Sequence, residues 1–128
     1  MSNLAQNTTT IKNSNLSSGP EYVAINAKGV ITVVAVRDIV YLESSGRYTI
    51  VFLATDTKLT ICKNLGSYEK LFKNSNFLRI HHSFLINIAF LKKIVRDAGG
   101  QYCEMNLTNK KIPISNRRFK HVKETLHY

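Results

Sequence analysis

What the chain is short of narrows its function before any motif is read. It has only two cysteines, Cys62 and Cys103, and no CxxC spacing. Both fall in apolar, strand-like segments, which reads as reduced, buried thiols in a cytoplasmic protein rather than a disulfide framework. No apolar run approaches the ~20 residues that cross a bilayer. The longest, FLINIAFL, is interrupted by Asn87. No basic segment followed by an apolar one opens the chain, so no secretory signal is visible. Phosphate-cradling GxGxxG and GxxxxGK loops, a GxSxG nucleophile turn and an HExxH zinc helix are all missing.

Acids are also scarce, and their distribution is uneven. Eighteen Lys and Arg stand against eight Asp and Glu, a net charge of +10. Residues 1–56 hold four bases and four acids, so the whole excess lies in the remaining 72 residues, with fourteen bases and four acids. This asymmetry favours a polyanionic partner, nucleic acid ahead of an anionic membrane. A basic surface that only confers solubility has the same composition, so charge alone does not decide.

What is present suits one domain with a single core: 128 residues, 44% hydrophobic. Residues 1–20 are dominated by Ser, Asn, Thr and Gln and end in Ser-Gly-Pro. They cannot bury enough to offset ordering entropy and read as a disordered tail or linker before a domain at 21–128. EYVAINA and VITVVAV form a hairpin across Lys28-Gly29, and DIVYLES and RYTIVFLA another across Ser44-Ser45-Gly46. TKLTICK alternates as a half-buried strand. NLGSYEKLFK is a helix with Leu65, Tyr68, Leu71 and Phe72 on one face and Asn64 or Ser67 as cap. Strands resume through FLRIHHSFLINIAFL, KKIVRD and QYCEMNLT, and Asn109-Lys110 turns the chain into KKIPI. A last helix, NRRFKHVKETL, carries Phe119, Val122 and Leu126 as its apolar stripe, with Ser115 as cap. Eight to ten short strands with one or two short helices indicate a mainly β domain of antiparallel hairpins.

FLRIHHSFLIN sets five polar residues, Arg79, His81, His82, Ser83 and Asn87, inside an apolar stretch. Successive strand residues face apart, so His81 and His82 do not readily chelate one ion, nor do His82 and Ser83 form a nucleophile pair. No metal, cofactor or enzymatic role is indicated. If the strand yields to a loop at His82-Ser83, those side chains emerge at an edge where His82 can bond a base and Ser83 a phosphate oxygen. His81 is expected as a satisfied core histidine and Asn87 as a buried amide that fixes a turn.

ISNRRFK is the second candidate. Ser115 caps a helix whose first turn carries Arg117 and Arg118, where the helix dipole disfavours cations by ~0.3–1 kcal/mol each. Helix stability therefore does not account for them. Two arginines at a helix N-terminus make a tip suited to phosphates or to the paired acceptors of guanine. A solvated charge pair is the plainer alternative. The loop Ser44-Ser45-Gly46-Arg47-Tyr48 adds an exposed arginine beside an aromatic, a weak signal on its own.

Taken in order, DIVYLESSGRYTIVF, NLGSYEKLF, FLRIHHSFLINIAFLKKI and NKKIPISNRRFKHVKETL resemble the successive motifs of the LytTR DNA-binding domain. That is the output domain of the bacterial LytR/AlgR class of response regulators. The likeness runs over roughly residues 22–126; FxRxHxS…N followed by IPxSxRR is its specific part. It implies an elongated fold of about ten strands in three antiparallel sheets, and a non-enzymatic transcriptional regulator in a two-component system. Such a domain inserts loops into successive major grooves of double-stranded DNA at paired promoter repeats. By resemblance, Arg47, Tyr48, His82 and Arg117 are base-reading positions. Ser83, Arg118 and Lys120, with Arg79, are backbone-holding ones. Many relatives have arginine where this chain has His82, which lacks arginine's permanent charge, so its share of the affinity is smaller. Further partners implied are a second copy on tandem sites and a receiver domain or sensor kinase, with no membrane. A receiver typically precedes this module and 128 residues leave no room for one. The chain then reads as a cut-out output domain or a stand-alone regulator. A basic module that binds acidic proteins or anionic surfaces without reading sequence is the alternative.

Overall fold

β-branched runs broken by two-residue turns draw the chain into successive hairpins. A computed structural model describes residues 19–128. The tail expected at 1–20 lies outside the described residues except for Gly19 and Pro20, and the Gly19 amide donates to the Asn74 carbonyl at 3.2 Å. Strands β1 (Tyr22–Ala27) and β2 (Val30–Ala35) pair across Lys28-Gly29. Both turn residues have positive φ, 55° and 83°, as a type I′ hairpin requires. The Asn26 side-chain oxygen accepts from the Gly29 amide. Strands β3 (Ile39–Ser45) and β4 (Tyr48–Leu53) follow, joined by Gly46-Arg47 with Gly46 at φ 60°. That is the glycine-first arrangement of a type II′ turn, and it leaves Arg47 at the tip.

β5 (Lys58–Ile61) leads to helix α1 (Leu65–Leu71), whose cap is Asn64: its side-chain oxygen accepts from the Ser67 amide at 2.9 Å. β6 (Phe77–His81) and β7 (Phe84–Asn87) form a tight hairpin around His82-Ser83. β8 (Leu91–Asp97), β9 (Gly100–Met105) and β10 (Lys111–Ile114) precede helix α2 (Asn116–Leu126). The strands assemble as β1-β2, as β5-β4-β3-β7-β6 and as β10-β9-β8. This is the mainly β class expected from sequence, with ten strands in three antiparallel sheets and two α-helices among the described residues.

Two apolar clusters lie on either side of the five-stranded sheet. One gathers Ile25 and Val34 of the first hairpin, Leu42, Val51 and Leu85 of the central sheet, and Leu65, Tyr68 and Phe72. The other gathers Tyr41, Ile80 and Ile86 with Cys103, Ile112 and Ile114 of the third sheet and Val122 of α2. Strand alternation divides neighbours between them: Leu85 joins the first, Phe84 and Ile86 the second. Asn87 is 2% exposed and ties the arrangement together. Its Nδ2 donates to the Ile39 carbonyl at 2.9 Å, and its Oδ1 accepts from the Ala89 amide at the 3-10 turn Ile88–Phe90.

Four details differ from expectation. The turn before β10 falls at Asn106-Leu107, not Asn109-Lys110; Leu107 adopts φ 71°, a conformation its side chain does not advertise. Leu71, grouped with the buried face of α1 by spacing, is 43% exposed because the helix ends there. Cys62 is exposed one residue beyond β5, whereas Cys103 is buried as expected. The second hairpin turns at Gly46-Arg47 rather than at Ser44-Ser45-Gly46, because Ser44 and Ser45 still pair within β3, whereas FLRIHHSFLINIAFL breaks at His82-Ser83 and after Asn87, where a loop and a turn-fixing amide were expected.

Candidate nucleic-acid interface

The His82-Ser83 turn is held from several sides. Arg79 points to the α1 side of β6, and its guanidinium makes three hydrogen bonds. Nε donates to the His81 carbonyl at 2.9 Å, Nη2 to the His82 carbonyl, and Nη1 to Glu69 Oε1 at 2.6 Å. The Ser83 amide donates to His81 Nδ1 at 3.0 Å, and its carbonyl accepts from the Ser44 amide at 2.8 Å. His82 is exposed at the tip and Ser83 half-buried beneath it. The bond at Nδ1 requires that nitrogen to be unprotonated, so neutral His81 carries its proton on Nε2. Burial lowers the His81 pKa below the ordinary 6.5, and the charges of His82, Arg118 and Arg79 lower it further. His81 is thus a half-buried, satisfied histidine rather than a fully buried one.

Helix α2 starts against this turn. The Ser115 amide donates to the Ile80 carbonyl at 2.9 Å, and Ser115 Oγ accepts from the Arg118 amide at 3.3 Å. Arg117 is exposed, and Arg118 is half-buried. Burial draws the Arg118 pKa down, the Arg79 charge adds to that, Glu69 opposes it and Arg117 adds again. Arginine nonetheless stays protonated, so the result is a cation whose surroundings are mostly cationic. The three ion pairs among the described residues are Arg79–Glu69, Lys93–Glu104 and Lys110–Glu43, so Arg117 and Arg118 belong to none.

The β3–β4 tip lies at the same end of the central sheet, since Glu43 pairs with Phe84 and Ser44 bonds Ser83. Arg47 and Tyr48 are exposed there. Five of the eight expected positions, Arg79, His82, Ser83, Arg117 and Arg118, therefore meet where β6 ends and α2 begins. Arg47 and Tyr48 share the same edge, and Lys120 is exposed further along α2. Arg79 differs from the rest: a phosphate contact by resemblance, it is fastened inside the fold with a side chain 11% exposed. Glu69 was not legible as part of this site. It lies ten residues from Arg79 on another element, with no local signal to mark it. Among the described residues no three His, Cys, Asp or Glu side chains group as a metal site, and no helix is long and apolar enough to cross a membrane.

Two hairpin tips of the central sheet and the start of α2 thus gather arginines along one edge of a domain built of antiparallel sheets. The family model of the LytTr DNA-binding domain matches residues 29–127, and the chain belongs to that family. It is a family of DNA-binding domains, not of enzymes. The chain is 28% identical over 113 residues to the sensory transduction protein LytT of Bacillus subtilis strain 168, covering 88% of this chain and 46% of that protein. It therefore spans about half the length of this curated relative. The fold is also similar to the LytTr DNA-binding domain of a methyl-accepting/DNA response regulator from Bacillus cereus. That match has a TM-score of 0.74 and 22% identity, and covers 86% of this chain and all of that one.

Proposed function

We propose that residues 21–128 form a sequence-specific reader of double-stranded DNA that controls transcription, with residues 1–20 as its tail or linker. Arg47, Tyr48, His82 and Arg117 enter successive major grooves and meet base edges, where arginine pairs bidentately with guanine. Ser83, Arg118 and Lys120 hold phosphates and set the register. Arg79 acts from behind by shaping the turn. Paired promoter repeats would engage a second copy, and a receiver domain driven by a sensor kinase would supply the signal in a two-component arrangement.

The observation that carries this reading is Arg118. It is a half-buried cation beside Arg79, Arg117 and His81, and the one nearby acid, Glu69, is already engaged by Arg79. A phosphate oxygen supplies the missing anion and relieves the repulsion. An interface meant only for charge would not need hydrogen-bonding groups gathered at three tips.

The test is a binding assay with a duplex selected from a random library and its scrambled counterpart, across a salt series. Expected is a preference for the selected duplex that persists as salt rises, on top of a common loss of affinity. Affinity that falls with salt and never distinguishes sequences would instead make this a general polyanion or protein-interaction module.

A further inference from the structure

Glu69 is the feature of the basic cluster that charge complementarity with DNA does not explain. A chain of net charge +10 that seeks phosphates is weakened by an acid near Arg118. Yet Glu69 stands there on α1, 2.6 Å from Arg79 Nη1. The other two donors of that guanidinium reach the carbonyls of His81 and His82, the residues on which the exposed tip turns. A guanidinium is a rigid planar fork, so fixing one arm fixes the direction of the others. The carboxylate thus orients Arg79, and Arg79 sets the backbone from which His82 and Ser83 project.

We infer that Glu69 is a positioning residue for DNA recognition, acting through Arg79 on the His82-Ser83 tip. The inference rests on the DNA-reading function proposed above. It carries a sign opposite to that of simple electrostatics. Loss of the negative charge should raise, or leave unchanged, the affinity for any duplex. Loss of the positioning should lower the preference for the right one.

The experiment compares Glu69→Gln and Arg79→Lys with the wild type on the selected and scrambled duplexes. Melting temperature and Ser83 amide exchange are followed alongside. Glu69→Gln is expected to lower the selected-to-scrambled affinity ratio roughly fivefold to a hundredfold, the worth of about one base contact, while scrambled-duplex affinity holds or rises. Arg79→Lys keeps the charge, but its three donors leave a single nitrogen and cannot reach acceptors spread around a planar fork, so it should lower the ratio similarly. Faster exchange of the Ser83 amide should accompany both. Equal strengthening on both duplexes, or an unchanged ratio, overturns the positioning role. Should Glu69→Gln not fold, Glu69→Asp keeps the charge, draws the carboxylate back by one carbon, and reads the same ratio. A wild-type protein without sequence preference overturns the DNA-reading function itself. A wild-type preference that survives in Glu69→Gln overturns only the role of Glu69.

Discussion

The backbone amide of Ser115 donates to the carbonyl of Ile80 at 2.9 Å, which docks the first turn of α2 against the end of β6. Because the bond is made by main chain, it survives any side chain but proline at position 115. The cap and the docking are therefore separable. Ser115→Ala should lose the Oγ cap on the Arg118 amide and cost about 1 kcal/mol in denaturant unfolding. DNA affinity should fall no more than that destabilisation accounts for. A collapse of binding in a folded variant would mean that Ser115 itself touches DNA.

Arg117 and Lys120 should separate in kind. Arg117→Ala is expected to cost ~1–3 kcal/mol on the selected duplex and to relax preference at one base pair. Lys120→Ala should weaken all duplexes alike and flatten the salt dependence by about one ion. Titrations at several salt concentrations decide it, and identical behaviour of the two variants would remove the distinction between readers and positioners.

Asn87→Ala strands the buried Ile39 carbonyl and removes the acceptor for the Ala89 amide. A destabilisation of roughly 1–3 kcal/mol is expected from the unsatisfied groups. Urea unfolding measures it. A neutral result would show that water replaces the amide at that position.

His81 links stability to pH. Its folded pKa lies below the unfolded value near 6.5, so the unfolded chain takes up the proton first. The stabilisation is present above pH 6.5 and fades as pH falls through the lowered folded value. Nearby Arg79, Arg118 and His82 all oppose the charged ring, while Glu69 is engaged by Arg79. Unfolding free energy should therefore decline from neutral to mildly acid pH, and His81→Asn should flatten that slope. An unchanged slope in the variant would assign the effect elsewhere.

The two thiols should react unequally. Cys62 is exposed, while burial pushes the Cys103 thiol up to about 12. A thiol reagent at neutral pH is expected to modify Cys62 alone in the folded protein and Cys103 only on unfolding. Modification of both at one rate would contradict the burial of Cys103.

Sequence reading works here where the signal is local. The hairpin at Lys28-Gly29, the caps Asn64 and Ser115, and the turn-fixing amide Asn87 each depend on residues a few positions apart. The failures are tertiary. Leu107 turns the chain with an unsuitable side chain, and Cys62 is exposed because its strand ends one residue early. The Arg79–Glu69 pair joins a strand to a helix by an angle that periodicity does not encode. The arginine stood out in the sequence as a candidate, but not that its partners are carbonyls and a carboxylate.

β3 has a consequence for how the domain fails. It places Ile39 and Leu42 in one apolar cluster and Val40 and Tyr41 in the other. Neither half can melt without withdrawing a wall from its neighbour. Heat should then produce one sharp calorimetric transition, with the arginine-bearing edge intact until the whole domain gives way.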